Sequence, residues 1–195
     1  MRRGCTLAAY TMRLFLLVPL LLMAGRLSAQ RTICTLKRGH VAFTSDAPME
    51  RITAANDATE GVLDIHERDF AVRVPMRWFK GFNSPLQQEH FYENYVRTGD
   101  FPNAIFEGRI IEAVDLSVQG TYSVRAKGRL TIHGVPQERI IPCAITVDAG
   151  GIRVTSAFDV ALADHGIRIP RVVHQKLAPE TRVEVDLRFE PPAER

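Results

Sequence analysis

The chain is short of the groups that usually carry catalysis, and each shortage removes a class of protein. No serine stands in a G-x-S-x-G setting, no glycine-rich phosphate loop follows a strand, and no H-E-x-x-H pair occurs. A nucleophile-elbow hydrolase, a P-loop protein and a zincin are therefore not indicated. The longest apolar run, Leu14 to Gly25, falls short of the roughly 20 residues that span a bilayer as a helix. Neither charge is in real excess. The first 29 residues hold four of the 25 basic residues and none of the 22 acidic ones, so the remainder balances at −1 and offers no electrostatic footprint for nucleic acid. Cysteine is scarce too: of three, one lies in those first 29 residues and only Cys34 and Cys143 follow.

What is present at the start is a leader. Basic Arg2, Arg3 and Arg13 precede the short apolar run, and small Ser28 and Ala29 end it, which is the layout of a secretory signal peptide cleaved after Ala29. Leu27 and the long basic lead fit a retained anchor instead. Cys34 lies too far from the apolar run to be a lipid-attachment site. The expectation is a secreted protein of the periplasm, with residues 1–29 as signal and 30–195 as one domain of sufficient size to bury a core. No membrane span is expected in the mature form, and a homodimer is compatible with the sequence. In a compartment that permits disulfides, a Cys34–Cys143 bridge and two buried thiols both fit.

Beyond the leader, period-two alternation dominates. From Gly120 to Ile132, Tyr122, Val124, Ala126, Gly128, Leu130 and Ile132 share one face while Ser123, Arg125, Lys127, Arg129 and Thr131 share the other. Such a run is a strand with one dry and one wet side. Val41 and Phe43, Phe70 to Met76, Ala104 to Ile110, Ile152 to Val160 and Val183 to Phe189 repeat the pattern, separated by turn formers such as Asp148 to Gly151 and His133 to Pro136. About eight strands without a βαβ rhythm predict an all-β protein: a closed antiparallel barrel, with a β-sandwich as the rival. An outer-membrane barrel would carry its apolar residues outside, and here one whole face is charged.

One helix is expected. Ser84, Pro85 and Gln87 give an N-cap, a first-turn proline and a capping-box partner, and the segment Leu86 to Val96 follows, with Gly99 as its stop. Leu86, His90, Phe91, Asn94 and Tyr95 form a stripe that would lie over an apolar surface, such as a barrel mouth. Glu89, His90 and Glu93 are the nearest approach to an acid–base group. A haem, redox or other enzyme-like barrel using His90 and Glu89 is the alternative to a plain structural role for that histidine. No metal ligand set, cofactor or catalytic residue is assigned, and no enzymatic activity is expected.

The inward faces mix bulky with very small residues. Ala104, Gly108, Ala126, Gly128 and Ser156 alternate with Phe106, Val124, Leu130 and Phe158, which fits either an interdigitated, filled barrel or one with space inside. Trp78, Phe79 and Phe82 precede the helix and are core or mouth residues. The stretch from Gly81 to Phe106, GFNSPLQQEHFYENYVRTGDFPNAIF, together with Phe43 to Pro48, Gly61 to Asp64, GRLTIHGV from Gly128 and Ser156 to Pro170, resembles the YceI-like family of secreted bacterial lipid-binding proteins. The resemblance spans nearly all of the chain after the leader. It implies a lipocalin-like barrel with a long apolar tunnel that holds a polyisoprenoid or similar long-chain lipid. The residues then expected along the tunnel are Phe43, Trp78, Phe79, Phe82, Phe91, Phe106, Val124, Ala126, Gly128, Leu130, Ser156 and Phe158.

Overall fold

The computed structural model describes residues 32–190; the signal peptide expected over residues 1–29 lies outside them. Nine strands follow in order: β1 (Ile33–Asp46), β2 (Arg51–Asn56), β3 (Glu60–Asp64), β4 (Asp69–Pro75), β5 (Asn103–Ile110), β6 (Gly120–Ile132), β7 (Val135–Asp148), β8 (Gly151–Ala161) and β9 (Glu180–Glu190). All pair antiparallel with their neighbours, and β9 closes the sheet by pairing with β1 from Thr35↔Glu190 to Thr44↔Arg182. The result is a closed antiparallel barrel. Its staves number eight, because β2 and β3 both pair with β1, β3 with its start and β2 with its end, and so act as one interrupted stave. The interruption is stitched by buried Asn56, whose side-chain amide donates to the Pro75 carbonyl at 2.7 Å and whose oxygen accepts from Ala58 N–H at 2.8 Å. Satisfying those backbone groups is what lets the ladder break without loss.

The alternation in β6 is realised as read: Val124, Ala126, Gly128 and Leu130 are buried and the residues between them exposed. Outward arginines meet carboxylates on the next stave, as Arg109 with Asp69 and Arg153 with Asp186. These exposed pairs keep the wall wet and contribute little stability each. In β1 the parity changes. A bulge between Leu36 and Arg38 inserts Lys37, so the inward set runs Cys34, Leu36 before it and Val41, Phe43, Ser45 after it.

The two ends of the barrel differ. At one end, Leu116 from the loop 111–119 is fully buried against Cys34, Leu63, Ile145, Ile152 and Phe189, which fill the interior. At the other end a second cluster, Val41, Ala54, Met76, Phe79, Val96 and Ile167, packs with Phe43, Phe91 and Tyr95 beneath the long connection between β4 and β5. That connection carries the expected helix, in two forms: α1 (Pro85–His90) and then a π-helical turn over Phe91–Tyr95. Ser84 caps it, accepting from Gln87 N–H at 3.2 Å, while Gln87 Oε1 accepts from Asn83 N–H at 3.0 Å, one residue earlier than a standard capping box. The helix ends at Tyr95 with Val96 as its cap, and the residue that turns the chain away is Arg97, not Gly99: Arg97 takes the left-handed conformation with φ 49° and Thr98 N–H bonds back to the Tyr92 carbonyl.

The two cysteines are free. Cys34 is buried among aliphatic side chains near the filled end, and Cys143 lies on β7, with its thiol directed to the Ile141 carbonyl at 3.5 Å. The bridge weighed above is therefore not formed; of the two thiols, Cys34 is buried as its alternative expected and Cys143 is half-buried. Burial raises the pKa of both, with Asp64 adding to the effect at Cys34.

Candidate ligand cavity

A cavity of about 240 Å³ runs through the barrel between the filled end and the helix-covered end. Every stave contributes to its wall. Val41 and Phe43 come from β1, Val72 and Val74 from β4, Ala104 and Phe106 from β5, Val124, Ala126 and Leu130 from β6, Ile141 and Cys143 from β7, Phe158 from β8 and Val183 and Val185 from β9. Among the described residues no charged side chain lies on the wall. Its two serines are engaged within the protein: Ser45 Oγ accepts from Ala178 N–H at 3.0 Å, and Ser156 Oγ donates to the Pro142 carbonyl at 2.7 Å. Burial also raises the pKa of Tyr95, so the phenol stays neutral. The wall can therefore solvate an apolar chain and cannot hold a charge.

The Ser156 bond has a further role. Backbone pairing of β7 with β8 covers only Ala144↔Thr155 to Asp148↔Gly151, and Pro142 has no N–H to extend it. Beyond this point side chains bridge the seam: Ser156 to Pro142, Arg139 to the Asp159 carbonyl at 3.3 Å, Gln137 to the Asp164 carbonyl at 2.7 Å, and His165 Nδ1 to the Val135 carbonyl at 3.0 Å. His165 is fully buried and its Nε2 has no partner among the described residues, so desolvation pushes its pKa down.

The covering helix is held by its polar side. Tyr92 Oη donates to the Phe79 carbonyl at 2.6 Å, Gln88 Nε2 donates to the same oxygen at 3.0 Å, and Gln87 Nε2 donates to Glu50 at 3.0 Å. Its apolar side is aromatic: the Phe91 ring stacks on Phe43 at 5.3 Å and meets Phe79 at 5.8 Å. Phe43, Phe79, Phe91, Tyr95 and Val96 thus form the roof of the cavity.

Of the twelve residues expected along the tunnel, Phe43, Phe79, Phe91, Phe106, Val124, Ala126, Leu130, Ser156 and Phe158 line the cavity. Three do not. Trp78 is 56% exposed on the 3-10 turn Met76–Trp78, facing away from the interior. Phe82 packs behind the roof, 5.1 Å from Phe91 and 6.0 Å from Phe43. Gly128 is buried but faces Gly108 across the β5–β6 ladder, where a Cβ on Gly128 would lie 2.2 Å from the Glu107 carbonyl oxygen. Its small size serves a close approach of two backbones rather than an open space. Glu89 and His90 are exposed and lie off the cavity wall, as does Leu86 of the expected apolar stripe, so the enzyme-like alternative has no enclosed site there. Sequence reasoning missed Leu162, Ile167 and Leu177, which reach the wall from the irregular segment between β8 and β9, where no periodicity marks them. It also passed over β7 as a strand, although Ile141, Cys143, Ile145 and Val147 alternate there.

The model of the YceI-like domain matches residues 35–189. The chain belongs to the YceI-like family. Solved structures agree in fold. A polyisoprenoid-binding domain from Saccharophagus degradans, implicated in plant cell wall breakdown, is similar at TM-score 0.69 and 15% identity, over 82% of this chain and 98% of that one. BcnA of Burkholderia cenocepacia is similar at TM-score 0.63 and 13% identity, over 76% and 94%. The YceI protein of Campylobacter jejuni is similar at TM-score 0.55 and 12% identity, over 70% and 82%. No curated protein sequence matches this chain. The YceI-like barrel accounts for the all-β architecture, and the cavity described above occupies its interior.

Proposed function

We propose that this protein is an exported lipid carrier that binds the apolar chain of a polyisoprenoid, or a similar long amphiphile, inside the barrel, and performs no chemistry on it. One observation carries the reading: an apolar cavity closed at one end by packed side chains and roofed at the other by an aromatic helix. At about 24 cal/mol per Å³, leaving 240 Å³ empty would cost roughly 6 kcal/mol, as much as the whole stability of many domains. Apolar walls do not favour water as the filler. A hydrocarbon chain recovers about 0.8 kcal/mol for each methylene it buries. Membership of the YceI-like family and the likeness to a polyisoprenoid-binding domain support the chemical class.

Export to the periplasm follows from the leader, and carriage or storage from a ligand held without covalent attachment. Organic extraction of the protein purified from its own host, followed by mass spectrometry, tests the reading. A stoichiometric long-chain lipid is the expected result, together with an intact mass that starts at or near Gln30. An extract without lipid from a soluble, folded protein overturns the carrier function, and a full-length mass in the membrane fraction overturns export.

A further inference from the structure

We infer that the roofed end of the barrel is a docking face for an anionic lipid bilayer. Four large apolar side chains stand in water at this end: Met49 is 66% exposed, Trp78 56%, Leu86 59% and Val172 88%. They come from four different segments, namely the β1–β2 turn, the turn after β4, the start of α1 and the turn Arg171–Val173. Those segments are tied into one rim. Met49 N–H bonds the Gln175 carbonyl at 2.8 Å, Glu50 accepts from Gln87, Asn83 Nδ2 donates to the Arg51 carbonyl at 3.0 Å, and the Phe79 carbonyl takes Gln88 and Tyr92. A soluble surface has no need to hold four such residues together, whereas an interfacial one does, and tryptophan is suited to that boundary.

Charge names the partner. Arg77 and Lys80 flank Trp78, Arg171 adjoins Val172, and Lys176 and Arg168 lie in the same segment, 166–179, which contains no acid. All five are exposed, and none takes part in the ion pairs found among the described residues, which instead neutralise the barrel wall. Of the acids at this end, Asp100 is paired with Arg97 and Asp164 with Arg139; Glu50, which keeps its charge while accepting from Gln87 and Asn83, stands with Asp46, Glu180, Glu89 and Glu93 against those five cations and exposed Arg51. At the opposite, filled end, exposed Ile111 and Val118 sit in a loop whose only charges are Glu112 and Asp115. Cations set beside apolar anchors favour a negative bilayer, and their pull is felt within a Debye length of it.

The docking face is also the end at which the cavity is roofed, and this extension rests on the carrier function proposed above. A long apolar ligand has almost no free concentration in water, so it must pass between bilayer and barrel while the two touch. The opening of the roof made by Phe43, Phe79 and Phe91 then faces the lipid rather than the solvent.

Trp78 is the only tryptophan of the chain, which makes the face its own reporter. Protein purified from its own host is mixed with vesicles of phosphatidylglycerol and phosphatidylcholine, or of phosphatidylcholine alone, and followed by tryptophan emission and flotation. The anionic vesicles are expected to shift the emission to the blue and float the protein, brominated lipid to quench it, and an ionic strength of about 1 M to weaken the association. Lys80→Glu combined with Arg171→Glu is expected to lower the affinity at least tenfold, and Met49→Ser with Val172→Ser to abolish the quenching, while Val118→Ser at the other end changes neither. Flotation without a Trp78 shift would place the contact elsewhere and overturn the inference, as would indifference to anionic lipid. Docking without an extractable ligand would leave this face standing and remove the carrier function; an extractable ligand without docking would do the reverse.

Discussion

Ala126 and Gly128 are two residues apart on the same inward face of β6, yet the structure predicts opposite responses to added bulk. Ala126 lies on the cavity wall, level with Ile110 on one side and Ile141 on the other. A phenyl ring at Ala126→Phe would overpack a filled core at about 1–3 kcal/mol. Here it enters space, and filling even a third of 240 Å³ offsets about 2 kcal/mol. The lipid-extracted variant should therefore melt within a few degrees of the extracted parent while losing its co-purifying lipid. Gly128→Ala adds a single methyl, but at 2.2 Å from the Glu107 carbonyl oxygen and 3.0 Å from Gly108 Cα. Backbone cannot rotate out of the way as a side chain can, so the strands must part. A cost of about 2 kcal/mol or more follows, which for a domain of this size lowers Tm by about 4–8 °C. Thermal unfolding followed by circular dichroism, with lipid content by mass spectrometry, reads both. Equal destabilisation by the two substitutions would show that the interior beside residue 126 is filled. Full lipid retention by Ala126→Phe would show that the ligand does not pass there.

Three further outcomes follow from the same geometry. Under denaturing conditions without reductant, alkylation should label both Cys34 and Cys143, whereas in the folded state both react slowly because burial raises their pKa; absence of label after denaturation would mean a disulfide. His165 has a native pKa held below its ordinary value of about 6.5 by burial, so below that pH the unfolded chain takes up a proton that the native one refuses, and stability falls as pH drops through the window. Asp148 and Asp186, held low by hydrogen bonds from Arg188 and Arg153, titrate further down, so Tm measured between pH 7 and 5 should fall for the parent and less for His165→Gln. Tyr92→Phe removes the 2.6 Å bond to the Phe79 carbonyl at a cost of about 1 kcal/mol; hydrogen exchange should quicken over residues 85–95 and stay unchanged in β6, and uniform protection would refute the helix as a separately held roof.

Much of this architecture is written in local pattern. The alternation along Gly120–Ile132, the Ser84 cap and the charged outer face each express a short-range physical rule, and strands paired with their sequence neighbours need little more to form a barrel. Nine cavity residues were legible because parity alone says which side chains face inward, and the aromatic stretch before β5 carried the family pattern. Parity says nothing about what stands opposite. Gly128 reads like Ala126 until Gly108 is placed across from it, Trp78 reads like Phe79 until the turn directs it outward, and the parity of β1 itself changes at the Lys37 bulge, which only the pairing with β9 reveals. The separation of Cys34 from Cys143, the seam at Pro142 and the gathering of Met49, Trp78, Leu86 and Val172 on one rim likewise depend on contacts between residues far apart in the chain. The sequence by itself therefore determined strand, face and family, because these follow from periodicity and local bonding; the tertiary structure decided where space remains inside the barrel and which surface its roofed end presents, because those are set by the residues that long-range strand pairing brings together.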